Sequence, residues 1–375
     1  MSLFAHTQGV ESATDCARQT LSALLRGEQE HWRGMDQCDS RVFLRACDYH
    51  GVGPLLWRLL KANAGSNSVT DALQSATLKA TIEELVRRRA IETVLNALAA
   101  RGIAPLVMKG TALAYTLYPA PELRSRSDTD ILIEKNVLAQ AVAVFTDLGY
   151  TQSNAVGGDL ISSELLFAKQ DEFGVAHQFD LHWRISNFHV LNEFFHFAEL
   201  SAASMPISAL GVQARGLGAA HALVLACMHR LSHRQAPYYA DGVAHFDSDR
   251  LIWLYDIHLL CHELTEAQWA TVIEIARCKG LEEICLDGLL VASECFATPI
   301  PAAILASLGG ASSRRSLSLA RFSAPRWRWE LAQFGALSDW RQKIRLLCQH
   351  LFPGPDYVLE KYHTSRRALL PLLYL

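Results

Sequence analysis

Apolar residues recur every third and fourth position through the first hundred residues, and at Arg101-Gly102 that spacing breaks off. Leu21, Leu24 and Leu25, then Val42, Leu44 and Cys47, then Leu55, Leu56, Leu59 and Leu60 follow the period of a helix with one apolar side. From Asp71 to Ala100 the same reading predicts one long or two shorter helices, with Leu73, Leu78, Ile82, Leu85, Val94 and Leu98 on the buried side. Gly102 suits a helix end, and Ile103-Ala104-Pro105-Leu106-Val107-Met108 is a short apolar run of the kind a buried strand needs. A chain that changes period in this way must pack helices against a sheet.

Beyond that point helical and extended patterns alternate. Lys109-Gly110-Thr111 opens a helical stretch that Pro119 ends, and a polar loop leads into a second strand, Asp128-Thr129-Asp130-Ile131-Leu132-Ile133. Val137 to Leu148 is helical in spacing, with Gly149 closing it. Glu164 to Ile185 predicts a hairpin that turns near Asp171-Glu172-Phe173-Gly174. On its second arm Gln178, Asp180, His182 and Arg184 alternate with Phe179, Leu181, Trp183 and Ile185, so one face is chemical and the other is core. From about Gly218 helices dominate again, including 219–233, 249–262, 267–279 and 339–351. The predicted fold class is α+β: a small mixed sheet at 101–216, flanked by an N-terminal helical region at 1–100 and a C-terminal helical domain at 217–375.

At 375 residues, 50% hydrophobic and 19% charged, the chain is long enough for several packed units. A formal charge of −3 exerts no global pull toward nucleic acid or anionic membrane. Met1-Ser2-Leu3-Phe4-Ala5-His6-Thr7 lacks the basic and apolar stretches of a secretory signal, and no apolar run reaches the roughly 18 residues of a membrane span. A cytoplasmic protein without a membrane span is therefore expected. The nine cysteines, from Cys16 to Cys348, are odd in number and show no CxxC spacing, which argues against a disulfide framework or a zinc ribbon.

Two aspartates one residue apart on a strand point to the same face, with backbones roughly 7 Å apart. Asp128 and Asp130 are so placed, and Asp180 on another strand can complete a set of three carboxylates for two Mg²⁺ ions of the kind that clamp phosphoryl transfer. Gly110, between a strand and a helix, exposes backbone N–H groups at the positive end of the helix, and Lys109 and the Thr111 hydroxyl add phosphate contacts. Arg124 and Arg126 precede the aspartates, where they can neutralise triphosphate or departing pyrophosphate. A D-x-D pair alone is common on surfaces; the selectivity lies in the whole order of strand, Lys-Gly-Thr, helix, Arg, Asp-x-Asp and a third acid.

That order resembles a known family. Leu106-Val107-Met108-Lys109-Gly110-Thr111-Ala112-Leu113, Tyr118-Pro119, Leu123-Arg124, Asp128-Thr129-Asp130-Ile131-Leu132-Ile133 and Phe179-Asp180-Leu181-His182-Trp183-Arg184 are similar to the uncharacterised nucleotidyltransferase family of the DNA polymerase β-like superfamily. The similarity extends to His50-Gly51-Val52, His229, His233 and Arg250-Leu251-Ile252-Trp253-Leu254-Tyr255-Asp256. It implies an enzyme that binds an NTP and transfers its NMP to an acceptor, releasing pyrophosphate, with Mg²⁺ or Mn²⁺ as two ions. Asp128 and Asp130 would be metal ligands, and Asp180 a third carboxylate that helps deprotonate the acceptor hydroxyl. Gly110 and Thr111 would stand where the superfamily has Gly-Ser, the threonine keeping the hydroxyl. The resemblance names no acceptor: a small molecule, a saccharide or peptide precursor and a protein hydroxyl stay open, with nucleic acid less favoured.

Other residues have plainer readings beside their chemical ones. His182 shares the face of Asp180 and is a candidate for contacting the acceptor or supporting the acids, against a satisfied structural histidine. His229 and His233 lie four apart on a helix, at metal-ligand spacing but with no third ligand evident; facing a catalytic cleft or pairing with Asp256 suits them better. Arg314, Arg315, Arg321, Arg326, Arg328, Arg341, Lys343 and Arg345, interleaved with Trp327, Trp329 and Trp340, can bind nucleic acid, but a solvated surface beside a buried tryptophan cluster is the favoured reading. The terminal Ala368-Leu369-Leu370-Pro371-Leu372-Leu373-Tyr374-Leu375 is expected to dock on the core. The rival to an enzyme is a nucleotide-binding or regulatory module without turnover, or a toxin-antitoxin-type interaction protein; a third convergent acid counts against it.

Overall fold

The computed structural model describes residues 15–28, 30–33, 39–63, 65–153, 158–192, 194–240, 243–247, 249–310 and 317–374. Met1–Thr7, Cys38, Arg314, Arg315 and Leu375 lie outside them. The fold is α+β, with a seven-stranded mixed sheet and many helices. The chain divides into two units, each discontinuous in sequence. One takes the described residues up to Val86 with Lys109–Arg126 and Gly218–Ser323; the other takes Arg87–Met108, Ser127–Leu217 and Ala324 onward.

The sheet belongs to the second unit. Its strands are β1 (Leu106–Val107), β2 (Asp128–Leu132), β3 (Thr151–Gln152), β4 (Glu164–Gln170), β5 (Ala176–His182), β6 (Met205–Pro206) and β7 (Arg215–Gly216), in the order β3-β4-β5-β2-β1-β7-β6. The predicted hairpin is β4 and β5, antiparallel in register from Glu164 opposite His182 to Gln170 opposite Ala176. Strand β2 runs parallel to β5 on one side and antiparallel to β1 on the other. Phe167 of β4 and Phe179 of β5 face each other across the hairpin on the buried face, where Phe145 of the helix Leu138–Asp147 stacks on Phe167 with ring centroids 4.4 Å apart. The face of β5 that bears Asp180 and His182 is thus turned away from this aromatic core.

The first unit is helical. Leu21, Leu24, Phe43, Cys47, Leu55, Leu56 and Leu73 pack with Tyr118, Leu123, Ile252, Leu254 and Phe296 in one core. Its helices include Ala219–Ser232, Leu251–Glu263, Glu266–Lys279 and Glu282–Phe296. Arg230 is fully buried there and held by Asp249 and Asp287. Tyr238–Ala240 and Val243–His245 form a small hairpin that the helical pattern did not predict.

A single helix, Ser68–Ala100, replaces the predicted choice of one or two. Its buried stripe corrects the sequence reading, because Leu78, Ile82 and Leu85 are each more than half exposed. At 100° per residue, Val69, Leu73, Ile91, Val94, Leu95 and Leu98 lie on one side and those three on the other. The mid-helix residue in phase with the buried side is Glu84, a charge that counting apolar residues passes over. The cysteines are free thiols among the described residues. No described helix is long and apolar enough to cross a membrane.

Candidate functional site

The parallel pairing of β2 with β5 sets Asp128 opposite Gln178 and Asp130 opposite Asp180. Paired positions on adjacent strands point to the same face, so the two aspartates stand side by side while Ile131 and Leu181, one step along, enter the core. His182 comes to the same face two residues after Asp180. Ligand atoms of Asp130, Asp180 and His182 lie within 4.8 Å of one another. Asp128 shares the face, half-buried, but stands one register step outside this trio.

His182 is buried between two carboxylates: its Nε2 is 2.8 Å from Asp130 Oδ1, and its Nδ1 is 3.1 Å from Glu164 Oε2. Glu164 reaches it because β4 places that residue directly opposite His182. The Nδ1 side is a charge contact with Glu164 rather than a hydrogen bond, while the Nε2 side lies at hydrogen-bond distance from Asp130, toward whatever cation the acids attract. Carboxylate oxygens suit Mg²⁺ and Mn²⁺, and an imidazole nitrogen among them is more at home on Mn²⁺ than on Mg²⁺. The trio therefore fits a divalent cation. The backbone is held as well, since the Met108 N–H donates to the Asp130 carbonyl at 3.0 Å.

Lys109, Gly110, Thr111, Arg124 and Arg126 belong to the helical unit. Lys109 opens the helix Lys109–Thr116 with φ of 48°, a left-handed conformation that non-glycine residues adopt only at a cost. Gly110 follows beneath the Arg124 guanidinium, where a Cβ would sit 2.5 Å from Arg124 Nη1. Arg124 is buried against Asp256, donating from Nη2 at 2.6 Å and from Nε at 3.3 Å, and the Tyr118 hydroxyl donates to the same carboxylate at 2.8 Å. Arg126 pairs with Glu84 at 2.5 Å and donates from Nε to the Thr111 hydroxyl at 3.1 Å. Tyr115 donates to the same Glu84 oxygen. Both arginines thus brace the glycine turn and the threonine through buried acids, Glu84 and Asp256.

His229 and His233 face each other with Nε2 atoms 3.3 Å apart, and Trp253 stacks on His233 at 4.3 Å. Burial, reinforced by the Lys109 charge, pushes His233 down to about 4, so it is neutral at physiological pH. Asp256 accepts from Arg124 and Tyr118, the partners that take the place of the expected histidine pairing. Glu164 and Glu84 are the residues that sequence reasoning missed. Hairpin register would have pointed to the first and helix phase to the second.

A family model described as an uncharacterised nucleotidyltransferase matches residues 36–297, about seven-tenths of the chain. The chain belongs to this family. The matched span takes in Lys109 to Thr111, both arginines, all three aspartates and the histidine pair, while 298–375 lie beyond it. A nucleotidyltransferase family with a buried Asp-Asp-His cluster marks the chain as a transferase with a possible metal site. No curated protein matches the chain.

Proposed function

We propose that this member of the family transfers a nucleoside monophosphate from an NTP to an acceptor oxygen, with Asp128, Asp130 and Asp180 as the metal-binding acids. The observation that carries this reading is the register that sets Asp130 beside Asp180, with Asp128 two residues earlier on the same face. Divalent cations, Mg²⁺ or Mn²⁺, would supply charge stabilisation for the phosphates and a lower pKa for the attacking hydroxyl. Two cations and three acids are the reading that in-line phosphoryl transfer favours.

The acceptor oxygen attacks the α-phosphorus, the bond to the bridging oxygen of the β-phosphate breaks, and pyrophosphate leaves. Asp180 takes the acceptor proton. His182, held by Glu164, orients Asp130. Gly110 and Thr111 offer backbone N–H groups at the start of their helix, and Lys109 brings a full charge to the phosphates. Arg124 and Arg126 act chiefly by bracing that turn, because their guanidinium groups are bonded to Asp256 and Glu84. His233, kept neutral by burial, and His229 beside it suit an acceptor-facing surface better than a phosphate-facing one.

The test incubates the purified chain with each α-labelled NTP, Mg²⁺ or Mn²⁺ and a cell lysate, reading pyrophosphate release and the mass of whatever acquires label. Label transfer that Asp130→Ala abolishes supports the reading. Nucleotide binding with no metal-dependent release across acceptors would instead favour a module without turnover.

A further inference from the structure

Beyond the family match, two helices of the second unit are packed with their apolar sides outward. In the helix Trp340–Leu351, spacing puts Trp340, Ile344, Leu347 and Leu351 within one arc, and each is 48–65% exposed. The opposite side holds the helix in place. Gln349 accepts from the Leu160 N–H at 3.2 Å, Arg345 reaches Asp159 at 2.8 Å, and Leu346 is buried with Leu160 and Leu337. Gly158 makes room for that attachment, since a Cβ there would sit 2.3 Å from the Gln349 side chain.

The preceding helix, Arg326–Ala336, repeats the pattern. Trp329 and Gln333 are buried, while Trp327 and Leu331, on the other side, are 59% and 61% exposed. The favoured sequence reading of a buried tryptophan cluster thus holds for Trp329 but not for Trp327 or Trp340. Each exposed tryptophan carries a cation on its ring, Arg328 over Trp327 at 5.0 Å and Arg341 over Trp340 at 5.7 Å. Lys343 flanks the apolar arc on the side away from Arg341. The terminal helix Leu370–Leu373 buries none of its side chains, against the expected docking; its attachment is the Tyr374 hydroxyl on the Pro353 carbonyl at 2.6 Å.

We infer that this face seats on an anionic lipid bilayer. Residues 324–375 hold eight Lys and Arg against four Asp and Glu, in a chain whose formal charge is −3, and of these Arg341 and Lys343 flank the exposed arc while Arg345 is engaged by Asp159 on the attached side. Aliphatic side chains flanked by cations, with tryptophans among them, are the composition of a helix lying in a membrane interface. Nucleic acid would use the Trp-Arg pairs but has no place for Ile344, Leu347, Leu351 and Leu331. A second copy would bring the same cations against these. The chemical class recognised is an acidic phospholipid headgroup over acyl chain, and the inference is independent of the transfer chemistry.

The experiment is flotation of the full chain with vesicles of phosphatidylcholine alone and of phosphatidylcholine mixed with phosphatidylglycerol. Binding to the mixed vesicles that weakens with salt is expected, falling about fivefold for each of Arg341→Gln and Lys343→Gln. Ile344→Glu with Leu347→Glu should abolish it; both positions are exposed, and an unchanged thermal melt and circular dichroism spectrum verify the fold. Absence of vesicle binding, or equal binding to both lipid compositions, overturns the inference. So does a concentration-dependent dimer, or capture of labelled single-stranded RNA, that the same double substitution removes while vesicles are not bound.

Discussion

Asp130 and Asp180 are register partners across the parallel β2 and β5 pair, and His182, on the same face, contacts Asp130 at 2.8 Å. Two carboxylates so close repel unless a cation or a proton donor stands between them. His182 meets part of that demand, with the Glu164 carboxylate 3.1 Å from its other ring nitrogen. Substituting His182→Gln should weaken Mn²⁺ binding about 10–100-fold, and Glu164→Gln by a smaller factor in the same direction. Titration calorimetry with Mn²⁺ reads both, and unchanged affinity in His182→Gln would remove the imidazole from the site.

The pair Arg126–Glu84 is buried on both sides, so removing one member strands the other. Glu84→Ala should cost about 3–5 kcal/mol in urea unfolding. Glu84→Gln, which keeps an acceptor for the Tyr115 hydroxyl, should cost less. A loss below about 1 kcal/mol for the alanine variant would mean that the guanidinium finds water instead.

Gly110→Ala should displace Arg124, since the added carbon would meet its Nη1 at 2.5 Å. The expected destabilisation is about 1–3 kcal/mol. It should be strongly non-additive with Asp256→Ala, because both changes break the same contact. Additive losses in the double-mutant cycle would show that the glycine serves some end other than admitting Arg124.

Lys109 adopts φ of 48°, where glycine is at ease. Lys109→Gly should therefore raise stability by about 1 kcal/mol while lowering turnover, if the charge serves the phosphates. Lys109→Arg separates the two effects, as it retains charge and strain alike. Lower stability in the glycine variant would show that the side chain's packing outweighs its backbone strain.

Stability should fall as pH drops below about 6.5. Burial holds His50 at about 3, and His233 and His258 at about 4, so each stays neutral in the folded chain where the unfolded chain takes up a proton. Between the unfolded and folded values each histidine adds a slope approaching about 1.4 kcal/mol per pH unit, and the loss levels off below the folded value. Urea midpoints across that range measure the slope, and His258→Gln should flatten it. A variant slope equal to that of the parent would put the acid sensitivity elsewhere.

The period change at Arg101-Gly102, the Glu164 to Ile185 hairpin and the shared face of Asp180 and His182 were legible because strand alternation is strict. Glu164 was not, since which residue opposes His182 depends on where the turn falls at Asp171 to Gly174. Glu84 escaped for a different reason. A mid-helix charge breaks the apolar pattern, so Leu78, Ile82 and Leu85 drew the assignment although they point the other way. In the tail, tryptophan content suggested a buried cluster, and only tertiary contacts distinguish Trp329 from Trp327 and Trp340.

The two units exchange the chain five times, at residues 86, 108, 126, 217 and 323. During synthesis the helical unit therefore cannot close until residue 323 has left the ribosome, long after all seven strands have emerged. The unit that holds the sheet lacks its own last segment, from Ala324 onward, for longer still, and expression of either unit as a contiguous fragment would produce a chain lacking segments it needs. Useful variants of this protein are substitutions in the whole chain, not excised domains.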